Sequence, residues 1–280
     1  MPSYSATLNE MYDLMKLRGA YFNTKDRYVL HETFQKRVAT ATEFDPSDGT
    51  LATLTQAELR SILLANPDWE VTGTNASLTV STLSTTGGAS ITTAANTSDT
   101  TIIAPKVVNS VQQSAWGSTP WSLVRMPIFR AQVSQTFSGS VFQAHWGLKK
   151  TANVDQTTDN DQICFLWDSG VSTTTVRAYC SVVGTDYVSG TDFTQLFNFL
   201  PTTGTVYETR IEVDQSRYPR WFINDALFAV GPQLTSSSTA GTWASLAPVF
   251  GVGSLSNTAS TMSVKSCTMS RLHAAPIVLT

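Results

Sequence analysis

Between Val206 and Asp214 the side chains alternate without a fault. Tyr207, Thr209, Ile211 and Val213 fall to one side, and Val206, Glu208, Arg210 and Glu212 to the other. A period of two, apolar on one side and polar on the other, marks an antiparallel strand with one wet face. Just downstream, Asn224-Asp225 between Ile223 and Leu227 has the chemistry of a two-residue hairpin turn. Strand-like segments recur along the chain: Trp69–Thr72, Ala89–Thr93, Thr101–Ala104, Ser122–Ser134, Val141–Leu148, Gln162–Asp168, Thr175–Val182, Arg220–Asn224, Leu227–Val230, Ala247–Gly253 and Met262–Leu272. Pro127 inside Ser122–Ser134 cannot donate to a ladder, which predicts an edge strand or a bulge. Strands at this spacing with no helices between them predict an antiparallel two-sheet sandwich. No internal repeat points to a propeller or solenoid.

Composition agrees. Ser and Thr make up about a quarter of the 280 residues, and only 14% are charged while 41% are hydrophobic. Such a chain buries a core and disfavours long helices. The charges are uneven: residues 1–65 carry 15 of the 39 charged residues and none of the seven Trp. Two short helices are readable there. Thr7 and Glu10 form a capping box before an apolar stripe of Leu8, Met11, Tyr12 and Met15, with Gly19 as a left-handed stop. Thr55 and Glu58 repeat the box before Leu59, Ile62 and Leu63, and Asn66-Pro67 ends that helix. Two such helices close no core of their own. The chain is therefore divided into a partly helical N-terminal arm (1–67), a sandwich (68–272) that would fold without the arm, and a C-terminal tail (273–280).

A net charge of −3 gives no basic excess, so nucleic acid is not an expected partner. No apolar run approaches the ~20 residues of a membrane-spanning helix. Cys164, Cys180 and Cys267 are odd in number and predict buried free thiols rather than a disulfide framework. The start of the sequence lacks a signal-peptide pattern, so folding in a reducing cytoplasm is expected.

The stretch Val206-Tyr207-Glu208-Thr209-Arg210-Ile211-Glu212-Val213-Asp214, followed by Arg217-Tyr218-Pro219-Arg220-Trp221-Phe222-Ile223-Asn224-Asp225-Ala226-Leu227, resembles the central hairpin of concanavalin-like (laminin-G-like) jelly rolls. Asp225 stands where that family often has glycine. Pro248-Val249-Phe250-Gly251-Val252 and the strand from Met262 to Arg271 resemble the last strands of such modules in tailed-bacteriophage structural proteins. The resemblance covers roughly residues 68–272. It implies an all-β jelly roll in a virion.

Candidate chemistry is sparse. Glucanases of this fold carry E-x-D-x-x-E on one strand, by the same resemblance; here Glu212-Val213-Asp214-Gln215-Ser216-Arg217 ends in arginine. A retaining glycosidase needs two carboxyls about 5–5.5 Å apart. Glu212 and Asp214 beside Arg210 and Arg217 read instead as ion pairs on a solvated face. Asp155, Asp159 and Asp161 are weak candidates for an oxygen-ligated cation, but the spacing lacks the glycine and terminal glutamate of a calcium loop, and a polar hairpin loop is the preferred reading. His31, His145 and His273 have no zinc spacing, and His145 reads as a packed strand residue. No cofactor is expected. Trp116 and Trp121, in a Ser/Thr/Pro-rich loop, are the Trp residues expected to be exposed and to touch a partner or ligand, whereas Trp167 and Trp221 are expected in the core.

These features favour a non-enzymatic structural role. The expected function is a capsid cement or decoration protein of a phage head, a homotrimer contacting the major capsid protein. Leu8, Met11, Tyr12, Met15, Leu59, Ile62, Leu63, Trp116 and Trp121 would be its contacts. The alternative is a carbohydrate-binding, receptor-recognition module of a tail fibre or tailspike. A glycan hydrolase or lyase ranks third because the acid pattern is broken.

Overall fold

The computed structural model describes residues 27–36, 38–40, 66, 68–74, 82–83, 88–93, 99–108, 111–112, 114–119, 121–137, 142–150, 161–169, 175–182, 184–234, 246–254 and 259–273. Eighteen strands follow one another: β1 (Arg27–Glu32), β2 (Ala39–Thr40), β3 (Trp69–Thr72), β4 (Thr82–Leu83), β5 (Ala89–Thr92), β6 (Thr100–Pro105), β7 (Val107–Val108), β8 (Val111–Gln112), β9 (Ile128–Phe137), β10 (Phe142–Lys149), β11 (Asp161–Asp168), β12 (Arg177–Val182), β13 (Thr185–Val188), β14 (Tyr207–Val213), β15 (Pro219–Ile223), β16 (Ala226–Val230), β17 (Ala247–Ser254) and β18 (Ser260–Leu272). A four-residue helix α1 (Ala115–Ser118) and a 3-10 turn (Leu123–Arg125) precede β9.

The strands form the expected sandwich. The first sheet runs β16-β15-β14-β9-β18-β5-β4, and β1 also pairs with β18. The second runs β13-β12-β11-β10-β17-β6-β3-β2. Neighbours are antiparallel except β2 and β3. Asn224 and Asp225 both adopt positive φ (47° and 63°), the conformation a tight two-residue hairpin demands. The alternation read in β14 holds: Thr209, Ile211 and Val213 are buried between the sheets.

The core is aromatic. Phe34 lies 5.1 Å from Trp69, Trp69 5.0 Å from Trp116, and Trp146 stacks on Phe165 at 5.3 Å. Two indoles also tie the sheets together. Trp146 Nε1 donates to Thr209 Oγ1 (2.9 Å), and Trp221 Nε1 to the Cys164 carbonyl (3.0 Å). Burying an indole needs a partner for its N–H, and a bond across the sandwich also restrains how the sheets slide. All three cysteines are free and buried.

Three sequence expectations are corrected. First, the boundary at residue 67 does not hold for residues 27–40. β1 pairs with β18 over six residues, from Arg27↔Leu272 to Glu32↔Cys267, and Phe34 and Val38 are fully buried in the core. Glu32 fixes that crossing, its carboxylate accepting from Phe34 N (2.6 Å) and from Asn66 Nδ2 (2.9 Å). A sandwich without this segment loses both a strand and an aromatic. Second, β9 is neither an edge strand nor broken by Pro127. The chain turns at Met126 (φ 50°), and β9 starts after the proline, between β14 and β18. Third, Trp116 and Trp121 are core residues, 3% and 0% exposed. Ser114 caps α1 by accepting from Trp116 N, and Trp121 Nε1 donates to the Trp116 carbonyl (2.7 Å), so this polar loop folds inward around its two indoles. They are not exposed contacts.

Candidate functional site

Each sheet has one face toward the core and one away from it. On the first sheet the outer face is a set of ion pairs. Arg210 and Arg130 stand opposite each other in register, with Glu208 and Glu212 two residues to either side on β14. Arg130 meets Glu208 (3.1 Å), Arg210 meets Glu212 (2.7 Å) and Asp225 (3.8 Å), and Arg220 meets Asp214 (2.7 Å). The Arg210 guanidinium also stacks on Phe222, 4.0 Å from the ring centroid. Glu212 and Asp214, the remnant of the acid pattern, are thus each held by an arginine. Charges so matched leave little field for a ligand. Burial lowers the pKa of Arg130, Glu208 opposes that shift, and the facing Arg210 adds to it.

The outer face of the second sheet is different. In β10 the side chains of Ala144, Trp146 and Leu148 enter the core, so Gln143, His145, Gly147 and Lys149 face outward. Register places Gln143 opposite Asp168, His145 opposite Leu166, Gly147 opposite Cys164 and Lys149 opposite Gln162. The next strand, β12, adds Arg177 beside Leu166, Tyr179 beside Cys164 and Ser181 beside Gln162. On the other side, β17 brings Ala247, Val249, Gly251 and Gly253. Gly147 has φ +153°, and a Cβ there would lie 2.5 Å from the Ile163 carbonyl oxygen, so the backbones of β10 and β11 approach too closely here for a side chain.

This face is polar yet enclosed. His145, Lys149, Gln162, Asp168, Tyr179 and Ser181 are all buried, and Cys164, Leu166 and Tyr179 form an apolar cluster separate from the core. Gln143 Nε2 donates to Asp168 Oδ2 (2.8 Å), and Arg177 Nη1 to the Ser189 carbonyl (3.1 Å). At the margin, Thr185 and Asp186 on β13 are exposed. Burial raises the Tyr179 phenol far above the usual tyrosine range, and its hydrogen bond with Asp186 and that carboxylate's charge raise it further. Burying so many hydrogen-bonding groups is costly unless they are satisfied. A concentration of them with a perturbed phenol, floored by apolar side chains, is the composition of a binding site.

None of the described residues of this face is among the sequence-predicted site residues. Leu8, Met11, Tyr12, Met15, Leu59, Ile62, Leu63, Asp155 and Asp159 lie outside the described residues, as does Trp243. Asp161 opens β11, fully buried, with its carboxylate 3.6 Å from Lys150 Nζ; it is not part of an open loop. Of the residues on the second sheet's outer face, only His145 and Cys164 had been singled out, both as packed strand residues.

No protein-family model matches the sequence, and no curated protein matches it. Solved structures do match in shape. A protein of unknown function from Shewanella oneidensis MR-1 superposes with a TM-score of 0.53 at 10% identity, covering 100% of this chain and 98% of that one. The carbohydrate recognition domain of Emp47p gives 0.51 at 10% identity over 74% of this chain and 90% of that one. Alginate lyase A1-II′, of polysaccharide lyase family 7, gives 0.50 at 9% identity over 74% and 96%. The chain therefore has a jelly-roll β-sandwich fold, which serves a carbohydrate recognition domain in one neighbour and an enzyme in another. None of these three is described as a virion protein.

Proposed function

We propose that this chain is a carbohydrate-binding module whose ligand contacts the outer face of the second sheet around Gln143, His145 and Tyr179. This reading replaces capsid cement as the leading one. The observation that carries it is the contrast between the two outer faces. One is filled by arginine–carboxylate pairs; the other gathers amide, imidazole, phenol, hydroxyl and lysine groups over apolar side chains. Sugars present hydroxyls that both donate and accept, together with apolar ring faces, and such a mixed surface matches them. The shared fold with a carbohydrate recognition domain and a polysaccharide lyase supports the same direction. Recognition of a host receptor from a tail fibre or tailspike is the setting in which the sequence resemblance would place such a module. The module is proposed to bind without turnover, since the E-x-D-x-x-E pattern is interrupted at Arg217.

The test is a glycan array probed with the whole chain, followed by titration of the best ligand into Gln143→Ala and His145→Ala. A loss of about tenfold or more in affinity with an intact thermal transition is expected, the scale of one or two good polar contacts. Saturable binding to empty phage shells with no glycan bound would restore the cement reading. Release of shortened oligosaccharide in the same assay would replace binding by cleavage.

A further inference from the structure

Where β18 leaves the first sheet, three segments each bring an arginine; Arg27 projects to one face of the sheet and Arg271 to the other, on the side of Arg125. Arg27 opens β1, Arg125 closes the 3-10 turn, and Arg271 is the penultimate residue of β18. Arg27 is engaged: its Nη2 donates to the Met126 carbonyl (2.7 Å) and its Nε to Ser270 Oγ (3.3 Å). Arg125 Nη1 donates to the His273 carbonyl (2.7 Å). Arg271 stands opposite Tyr28 in register, its guanidinium 5.6 Å from the Tyr28 ring centroid. The Tyr28 ring lies 6.1 Å from Trp121 and 6.4 Å, edge-on, from the exposed His273.

Charge balance sets this end apart. Arg130, Arg210 and Arg220 of the same sheet each have a carboxylate partner. Among the described residues, Arg125 and Arg271 form no ion pair. Arg271 Nη1 donates to the Leu272 carbonyl (3.3 Å), while its Nε is buried without an acceptor. Its pKa is lowered first by burial and then by the charge of Arg125, while Tyr28 opposes the shift. Two guanidiniums that repel each other are stabilised by an anion shared between them, which accepts charge-assisted and often forked hydrogen bonds. The half-buried Tyr28 ring beside them offers an apolar body for a sugar ring to lie on.

We propose that Arg125 and Arg271 form a subsite for an anionic group carried on a sugar, a uronate carboxylate or a sulfate ester, with the sugar ring against Tyr28. The subsite is separate from the outer face of the second sheet. The choice of a sugar as carrier rests on the carbohydrate-binding reading above; the anion subsite itself rests on the arginines.

The experiment is calorimetric titration of the full chain with four probes: trigalacturonate, a sulfated neutral trisaccharide, the unmodified neutral trisaccharide and inorganic phosphate. The acidic sugars are expected to bind about tenfold or more tighter than the neutral one. That advantage should vanish in Arg125→Gln/Arg271→Gln and survive in part in the double Lys variant, which keeps the charge but not the fork. Preference for trigalacturonate identifies a carboxylate, and preference for the sulfated sugar a sulfate. If no sugar binds but phosphate binds the native chain and not the double variant, the anion subsite stands and the carbohydrate reading falls. Equal affinity of native and double-variant chains for the acidic probes overturns the subsite, as does failure of every anion to bind the native chain. Should the double variant unfold, Arg125→Gln alone, whose side chain is bonded to one surface carbonyl, is expected to lower acidic-sugar affinity about threefold. An unchanged affinity in that single variant overturns the proposal equally.

Discussion

The first sheet's outer face sets arginines against carboxylates; the second sheet's sets amides, an imidazole, a lysine and a phenol among apolar side chains. Both faces carry polar residues among their outward-facing positions. The difference lies in how the polarity is used. Ion pairs on a partly solvated face hold one another and contribute modestly to stability. Hydrogen-bonding groups of several kinds over apolar side chains offer a ligand directional contacts as well as charge.

The comparison can be broken most sharply at Gly147. An alanine there must take a backbone conformation that L-residues avoid and meet the Ile163 carbonyl. Gly147→Ala is expected to cost about 3 kcal/mol or more, read from denaturant unfolding. A cost below ~1 kcal/mol would show that the middle of the second face tolerates filling. The next effect belongs to the first face. Arg210→Ala removes two ion pairs and the stack on Phe222, and about 1–2 kcal/mol of stability should go with them while glycan affinity stays unchanged. A parallel loss of glycan binding would move the site to the wrong face.

Two pH experiments sharpen the contrast at smaller scale. The Tyr179 phenol ionises later in the folded chain than in the unfolded one. Its contribution is therefore complete below the ordinary tyrosine pKa of ~10 and is lost as pH rises past it. Tyr179→Phe should flatten the fall in stability above about pH 10; an unaltered alkaline limb would mean the phenol is not held neutral. On the first face, burial lowers the pKa of His31, with Glu32 opposing, while its Nδ1 lies 2.7 Å from Thr268 Oγ1. The unfolded chain then takes up this proton first as pH falls below ~6.5, so stability declines with acidification. His31→Gln should remove a small part of that acid limb, and an identical pH profile would dismiss it.

The first face was legible in the sequence and the second was not, for a physical reason. β14 alternates polar and apolar side chains, so its period of two stands out, and the Asn224-Asp225 turn between β15 and β16 is local chemistry. In β11 all eight residues are buried, which erases the contrast that marks a face. His145, Tyr179 and Gln143 come together only through the register of three strands, and no spacing along the chain announces it. The tryptophans of the 114–121 loop misled because Ser, Thr and Pro around them suggested solvent, whereas a serine cap and an indole-to-carbonyl bond turned the loop inward. The segment 27–40 was assigned to the arm because its charges resemble those around it, and its partner strand lies at the far end of the sequence.

That last pairing carries a consequence for how the chain is made. β18 sits between β9 on one side and β5 and β1 on the other, and Arg27 and Ser270, joined by a hydrogen bond, are 243 residues apart. A ribosome delivers β1 before its partner, which follows every other described strand. Until then β9 and β5 have no strand between them, and β1 must remain unpaired without meeting another chain. Long-range pairing of this kind slows folding and prolongs the exposure of strand edges. Closure of the first sheet thus waits for β18, although β9, β14, β15 and β16 can pair before it.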